Sequence, residues 1–130
     1  MSEENVELIR RGYEAYARRD FESVFALLHP EVEIHQTEAL PWGGTYRGLG
    51  QAGEFFRRLG EHTEGTPEPE LFIPAGDDVV AVGRLRGRAR ASGKEYDLAI
   101  AHLWSVRDGR VIRFAAYIDT PAMLAALERG

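Results

Sequence analysis

Four segments of the chain place apolar residues at the three- and four-residue steps of an amphipathic helix. The first covers residues 3–19, the second follows Asp20, the third covers residues 49–60, and a short fourth begins at residue 120. Asp20 is a candidate N-cap, and its helix is predicted to end at His29, because a residue before proline avoids helical angles. Gly60 is the candidate residue just beyond the third helix.

Between and after these helices the pattern changes to period two, which is typical of strands. The predicted strands cover residues 31–37, 78–91, 95–106 and 111–119. Ser92-Gly93 and Asp108-Gly109 are hairpin turn signals, so the last three strands are predicted to form an antiparallel meander. Helices first and a meander last indicate an α+β fold without parallel βαβ units. We expect residues 1–130 to form a single domain.

The strand over residues 95–106 has one large and one small face. Residues of one parity are Tyr96, Leu98, Ile100, His102 and Trp104, whereas Asp97, Ala99, Ala101 and Ser105 are small or polar. Since period-two alternation allows only one core face, the large set is predicted to point inward. His102 is then a titratable group placed among apolar neighbours.

Composition removes several classes of function. The formal net charge is −5, which disfavours nucleic acid as a partner. The chain has no cysteine, no apolar run long enough for a membrane span and an acidic start, so we expect a cytoplasmic protein that does not enter membranes. The four histidines show no metal-ligand spacing, and neither a metal nor another cofactor is expected.

Residues 48–53 match G-x-G-x-x-G, the pattern of a dinucleotide-binding loop. That loop needs a hydrophobic strand directly before it and a βαβ unit around it. Residues 41–47 do not have the composition of such a strand. We therefore interpret the match as accidental.

Local motifs, taken in order, resemble those of the nuclear transport factor 2-like superfamily, in its SnoaL-like and ketosteroid isomerase-like branch. The motifs are Tyr13-x-x-Tyr16 with Arg19-Asp20-Phe21, residues 27–32, residues 44–48 and residues 107–111. The resemblance covers nearly the whole chain. It implies a cystatin-like cone, in which a curved antiparallel sheet wraps the N-terminal helices and leaves a pocket at the open end. Many members of the superfamily are homodimers that pair through the outer face of the sheet.

The resemblance also implies a set of pocket residues. They are Tyr13, Tyr16, Trp42, Tyr46, Phe55, Leu98, Ile100, Trp104, Phe114, Ala116 and Ile118. Trp42 and Tyr46 follow or flank glycines, so they are interpreted either as a lid over the pocket or as a plug of the wide end of the cone.

The candidate catalytic residues are His102, Gln36 and Glu38. In ketosteroid isomerases the position of His102 is similar to that of a carboxylic acid that donates a hydrogen bond to an oxyanion, and a histidine can donate the same bond. The general-base aspartate of those enzymes corresponds to Gln36, which cannot take a proton. Glu38 follows the same strand and is interpreted as leaning over the pocket or as a solvated loop carboxylate.

An alternative pair is Asp20 with His62, as in scytalone dehydratase-like enzymes, although Asp20 is also explained by helix capping. His62 is expected in an exposed polar loop. The first functional hypothesis is a cofactor-free acid–base enzyme of isomerase, cyclase, dehydratase or hydrolase type, acting on a small apolar molecule with a carbonyl or hydroxyl group. The alternative is a non-catalytic ligand-binding or dimeric interaction module. A second titratable group at the ligand beside His102 would favour the enzyme.

Small and charged residues alternate on the predicted outer face of the sheet. They are Arg84, Arg86, Asp97, Ala99, Ala101 and Ala115. Small side chains let two sheets approach, and a self-complementary charge pattern suits a two-fold interface. We therefore expect a homodimer through this face.

Overall fold

Four helices and six strands make up the computed structural model, which describes residues 2–129. The helices are α1 (Ser2–Ala17), α2 (Phe21–Ala26), α3 (Gly48–His62) and α4 (Thr120–Leu127). The strands are β1 (Leu28–Gln36), β2 (Gly44–Arg47), β3 (Thr63–Ala75), β4 (Asp78–Ala89), β5 (Glu95–Arg107) and β6 (Arg110–Ile118). This is the α+β order expected from the sequence.

The six strands form one sheet in the order β2-β1-β6-β5-β4-β3. Neighbours pair antiparallel except β1 and β6, which are parallel. The prediction of an antiparallel sheet is therefore correct for the meander and wrong for this one pair. The parallel pair is possible because a long connection through α3 and three further strands separates β1 from β6.

Helix contacts show that the sheet is curled. α3 contacts β1 and β2 at one edge of the sheet and also β3 at the other edge, while α1 contacts β3 and β4. In the sheet order β1 and the edge strand β3 are four strand spacings apart, about 19 Å if the sheet were flat. Gln36 of β1 and Pro67 of β3 nevertheless line the same cavity, so the sheet curls around the helices.

The sequence did not predict the long edge strand β3. Pro67, Pro69 and Pro74 interrupt it, and proline is depleted in strands because it cannot donate to the ladder. β3 tolerates them because it is the last strand of the sheet and pairs only with β4. The register also shifts between Pro69 and Leu71. The meander therefore has four strands instead of three.

Several predicted boundaries also change. α2 ends at Ala26, so Leu28 begins β1 instead of lying on the helix. α3 continues through Gly60 to His62, which places His62 in the last turn of a helix and not in a loop. The first strand begins at Leu28 because its start pairs with Val111 of β6.

A short strand, β2, does precede the Gly48–Gly53 segment, contrary to expectation. It lies at the sheet edge and pairs antiparallel with β1. The segment therefore lacks the central parallel strand that a dinucleotide loop requires.

The inner face of the sheet and the helices share one core. Leu98, Ile100 and His102 of β5 are buried, whereas Asp97 and Ala99 are exposed, as the alternation predicted. Ile9 and Tyr13 of α1 belong to the same cluster. Among the helices that the structure describes, none combines the length and the apolar character needed to cross a bilayer.

Candidate functional site

A cavity opens between the helices and the inner face of the sheet. Its walls come from α1, α2, α3 and five of the strands, and they are mainly apolar. The residues proposed from sequence that line it are Tyr13, Tyr16, Gln36, Trp42, Phe55, His102, Trp104, Phe114, Ala116 and Ile118. An apolar wall that carries a few polar groups is typical of a small-molecule site.

Four other residues proposed from sequence do not line the cavity. Leu98 and Ile100 are buried in the core beside the start of α4, where the Asp119 amide donates to the Ala99 carbonyl. Tyr46 is also buried, and its hydroxyl donates to the Trp42 carbonyl. Glu38 is exposed in the turn after β1.

The strand register sets the two polar candidates in one row. Gln36 of β1 pairs with Ala116 of β6, and Ala116 pairs with His102 of β5. All three line the cavity. Two strand spacings separate the Cα atoms of Gln36 and His102 by about 10 Å, and only the methyl group of Ala116 lies between them.

His102 is held from α1 through a hydroxyl group. Its Nδ1 lies 2.7 Å from the Tyr13 Oη, and that oxygen also accepts a bond of 2.9 Å from the Trp104 Nε1. Phe114 packs edge-on against the His102 ring, with centroids 5.0 Å apart. Within the described part of the chain no hydrogen bond is made to Nε2, and no buried side-chain nitrogen or oxygen lacks a partner. The Nε2 atom is therefore open to the cavity.

Burial keeps both members of this pair uncharged. Removal from water lowers the pKa of His102 to about 3, because the imidazolium loses its solvation. The same effect raises the pKa of Tyr13 far above its usual range. At neutral pH the cavity therefore faces a neutral imidazole bonded to a neutral phenol.

Gln36 is oriented by the second tryptophan. The Trp42 Nε1 donates to the Gln36 Oε1 at 2.8 Å, and both side chains are buried, with exposures of 1% for Trp42 and 4% for Gln36. Trp42 therefore forms part of the wall, which favours the plug interpretation over the lid. The amide NH₂ of Gln36 is left to face the cavity that its side chain lines.

Two other polar groups in the wall were not named as site residues from the sequence. They are Thr63, whose hydroxyl donates to the Leu59 carbonyl, and Tyr96, whose pKa is raised by burial. Tyr96 points inward as the alternation along β5 predicted, whereas Thr63 begins β3, which was not predicted. No carboxylate among the described residues lines the cavity.

The alternative pair of Asp20 and His62 is not assembled. Asp20 caps α2, where its carboxylate accepts from the Ser23 amide and hydroxyl. The ring of His62 packs against Trp42, with centroids 5.8 Å apart. The capping interpretation of Asp20 is confirmed.

Comparison with known proteins agrees with this architecture. The family model described as a SnoaL-like domain matches residues 9–114. The chain belongs to the SnoaL-like family. Its fold is that of the nuclear transport factor 2-like proteins, and a Burkholderia pseudomallei protein of that type, of unknown function, superimposes with a TM-score of 0.90. The two are 32% identical, and the match covers 98% of each chain.

Two further proteins are similar to nearly the whole chain. TerC, co-crystallised with polyporic acid, superimposes with a TM-score of 0.88 at 29% identity, covering 95% of this chain and 98% of TerC. An uncharacterised protein of Mycobacterium tuberculosis is 27% identical over 121 residues, which is 91% of each chain.

Proposed function

We propose that this SnoaL-like protein binds a small, largely apolar molecule in the cavity and holds its carbonyl or hydroxyl oxygen at the Nε2 of His102. The observation that carries the proposal is a neutral histidine whose one free ring nitrogen opens into an apolar cavity. Polyporic acid in the crystals of TerC is a precedent for a small organic ligand on this fold.

The chemistry that the site supports best is activation of a carbonyl group without a cofactor. A neutral imidazole that donates a hydrogen bond polarises a carbonyl and stabilises the oxyanion that forms when a neighbouring proton leaves. Because its pKa lies near 3, His102 is a poor proton acceptor at neutral pH. Tyr13 is bonded to the Nδ1 of His102 and to the Trp104 Nε1, so it supports the ring and is not the second titratable group beside a ligand that would favour an enzyme.

A second candidate is ligand binding without catalysis. It is favoured by the lack of a carboxylate among the described lining residues and by Gln36, whose amide cannot accept a proton. Without a carboxylate in the wall, any proton abstraction from a bound ligand would depend on water.

Binding and catalysis are separated with 1-tetralone, a bicyclic ketone with acidic hydrogens beside its carbonyl. Calorimetry measures its binding, and proton NMR in D₂O measures exchange of those hydrogens. We expect His102→Phe to weaken binding about three- to tenfold, as for one lost hydrogen bond, and to remove any accelerated exchange. Equal binding by wild type and His102→Phe would contradict the anchor role of His102.

The matched control is His35→Phe, because His35 lies on β1 at the neighbouring parity and its ring bonds to the Thr45 hydroxyl. We expect it to bind 1-tetralone like the wild type. Binding with no exchange above the buffer rate would establish the non-catalytic function. Absence of binding would contradict both functions for this class of molecule.

We also propose that the protein is a homodimer through the outer face of the sheet. Exposed apolar side chains lie there, among them Leu71 at 55% and Tyr117 at 54% exposure. Arg84 and Arg86 bond to Asp97 within the chain, so these charges are already neutralised instead of being paired across an interface. Small residues at the centre of this face and apolar side chains around them suit contact with a second copy of the chain.

A further inference from the structure

We propose that two indole N–H groups fix the hydrogen-bond polarity of the cavity, so that His102 and Gln36 both act as donors and select ligands with two acceptor oxygens on an apolar frame. The inference rests on the proposed function, because it names the class of ligand that the same cavity takes. It starts from Trp104 and Trp42, whose indole nitrogens donate but never accept.

The first chain of bonds runs from Trp104 to His102. Since the Trp104 Nε1 donates to the Tyr13 Oη at 2.9 Å, the hydroxyl acts as an acceptor on that side. Its own hydrogen can be used at the His102 Nδ1, 2.7 Å away. If Nδ1 carried a proton instead, the oxygen could accept from both donors, but its hydroxyl hydrogen would have no other acceptor among its bonded partners in the described residues.

The ring proton of a neutral His102 therefore sits on Nε2, the nitrogen that faces the cavity. A neutral imidazole carries one donor and one acceptor, and here the acceptor is used by Tyr13. Trp104 acts through Tyr13 and is a positioning residue. It sets the tautomer without pairing with His102 itself.

The second series of hydrogen bonds is shorter and also leaves a donor facing the cavity. Because the Trp42 Nε1 occupies the Gln36 Oε1 at 2.8 Å, the amide is oriented with its NH₂ group toward the cavity. An amide NH₂ is a donor only. Two independent tryptophans thus leave donors at both polar positions of the row across β1, β6 and β5.

The row also indicates where a ligand lies. Ala116 separates Gln36 from His102 in this row. Its small side chain leaves space above the sheet between the two donors. Two acceptor oxygens satisfy them, whereas a ligand hydroxyl brings a hydrogen that finds no carboxylate among the described lining residues.

The tautomer is tested without any ligand. NMR of protein labelled with ¹⁵N-histidine, at pH 7, distinguishes the two neutral forms from the charged ring, and His102→Phe identifies the His102 signals. We expect the Nε2–H form in the wild type and a measurable Nδ1–H fraction in Trp104→Phe. The control Trp42→Phe should leave the His102 tautomer unchanged. A charged or Nδ1–H ring in the wild type, or no change in Trp104→Phe, would overturn the fixed tautomer.

Ligand selection is tested with three bicyclic probes of similar size: 1,4-naphthoquinone, 1-tetralone and naphthalene, with two, one and no carbonyl oxygens. The chain has no cysteine for the quinone to alkylate. We expect affinity, measured by calorimetry, to fall about three- to tenfold with each carbonyl removed. Gln36→Leu should abolish the advantage of the quinone over the ketone and leave naphthalene unaffected.

The outcomes separate this inference from the proposed function. If the three probes bind with equal affinity, the cavity binds apolar molecules but the donor-pair selection is wrong. If no probe binds, both the ligand class and the proposed function are contradicted for molecules of this kind.

Discussion

At the scale of single residues, the site depends on the desolvation of His102. Burial disfavours the charged ring, and no described carboxylate lies close enough to offset this by attraction. The position of His102 on the inner face could be predicted from alternation along β5. Its partner could not, because Tyr13 is 89 positions away and only the folded helix brings the hydroxyl to the ring.

The lowered pKa predicts a stability that falls in acid. The pKa of His102 is about 3 in the folded protein and 6.5 for an exposed ring. As the pH falls below 6.5, the unfolded chain takes up a proton that the folded chain does not, so the free energy of unfolding decreases. The loss is about 2 kcal/mol at pH 5.

Urea unfolding at pH 7 and pH 5 measures that difference. His102→Phe removes the group, so its free energy of unfolding should fall less than that of the wild type over the same interval. Carboxylates whose pKa is lowered in the fold, such as Asp97, contribute the same pH-dependent change to the free energy of unfolding in both proteins. That contribution cancels in the comparison. An equal decrease in the two proteins would show that His102 titrates normally.

Tyr13→Phe should destabilise the fold by about 1–3 kcal/mol, because it leaves the Trp104 Nε1 and the His102 Nδ1 without their partner. The matched control is Tyr117→Phe, because it keeps the ring on the outer face of β6 and removes only a hydroxyl outside the core, and it should change stability by less than about 0.5 kcal/mol. Thermal unfolding measures both variants. Equal effects would mean that the buried hydroxyl contributes nothing to stability.

At the scale of elements, the close approach of β3 and β4 depends on glycine. A Cβ added at Gly87 would meet the Glu64 carbonyl oxygen and the Tyr96 hydroxyl, whereas one added at Gly60, inside α3, would meet open space. Backbone cannot move aside as a flexible side chain can. An alanine side chain therefore clashes at Gly87 and is accommodated at Gly60.

We predict that Gly87→Ala lowers the free energy of unfolding by about 2 kcal/mol or more, in the range of overpacked sites. Gly60→Ala should raise it by about 0.5–1 kcal/mol, because alanine is the better helix former. Chemical denaturation compares them at one pH. An unchanged free energy of unfolding in Gly87→Ala would show that β3 and β4 are not closely packed at this position.

Most elements of this fold could be predicted from periodicity, since the helices and the last three strands carry strong apolar patterns. The exceptions have physical reasons. β3 contains three prolines that only an edge strand accepts, and β2 has four residues, too few for a pattern. Because β3 was not predicted, Thr63, which lines the cavity from that strand, was not identified. The contact between Thr63 and Tyr96 could not be predicted for the same reason.

At the scale of the whole molecule, the curled sheet has an inner face committed to the cavity and an outer face that is free in a single chain. Val80, Val82 and Leu103 extend the apolar surface between Leu71 and Tyr117 across four strands. Large exposed apolar surfaces on a monomer are unusual and mark contact sites. The proposed dimer interface covers the apolar surface between Leu71 and Tyr117.

Sedimentation at micromolar concentration should therefore give a mass of about twice the 14.6 kDa of the chain. Ala101→Glu places a carboxylate between Val82 and Tyr117 and should shift the protein toward monomer. Ala17→Glu, at an exposed position of α1, is the matched control and should remain dimeric. A wild-type monomer would contradict the dimer without affecting the cavity.

The most direct test of the ligand site is a crystal structure of the protein with bound 1-tetralone. We predict that the ketone lies inside the curled sheet, with its carbonyl oxygen about 3 Å from the His102 Nε2 and its rings against Trp104 and Phe114. The Tyr13–His102 bond should remain in place. A ketone bound outside the cavity, or inside it with the His102 Nε2 unengaged, would contradict the assignment of His102 as the centre of the site.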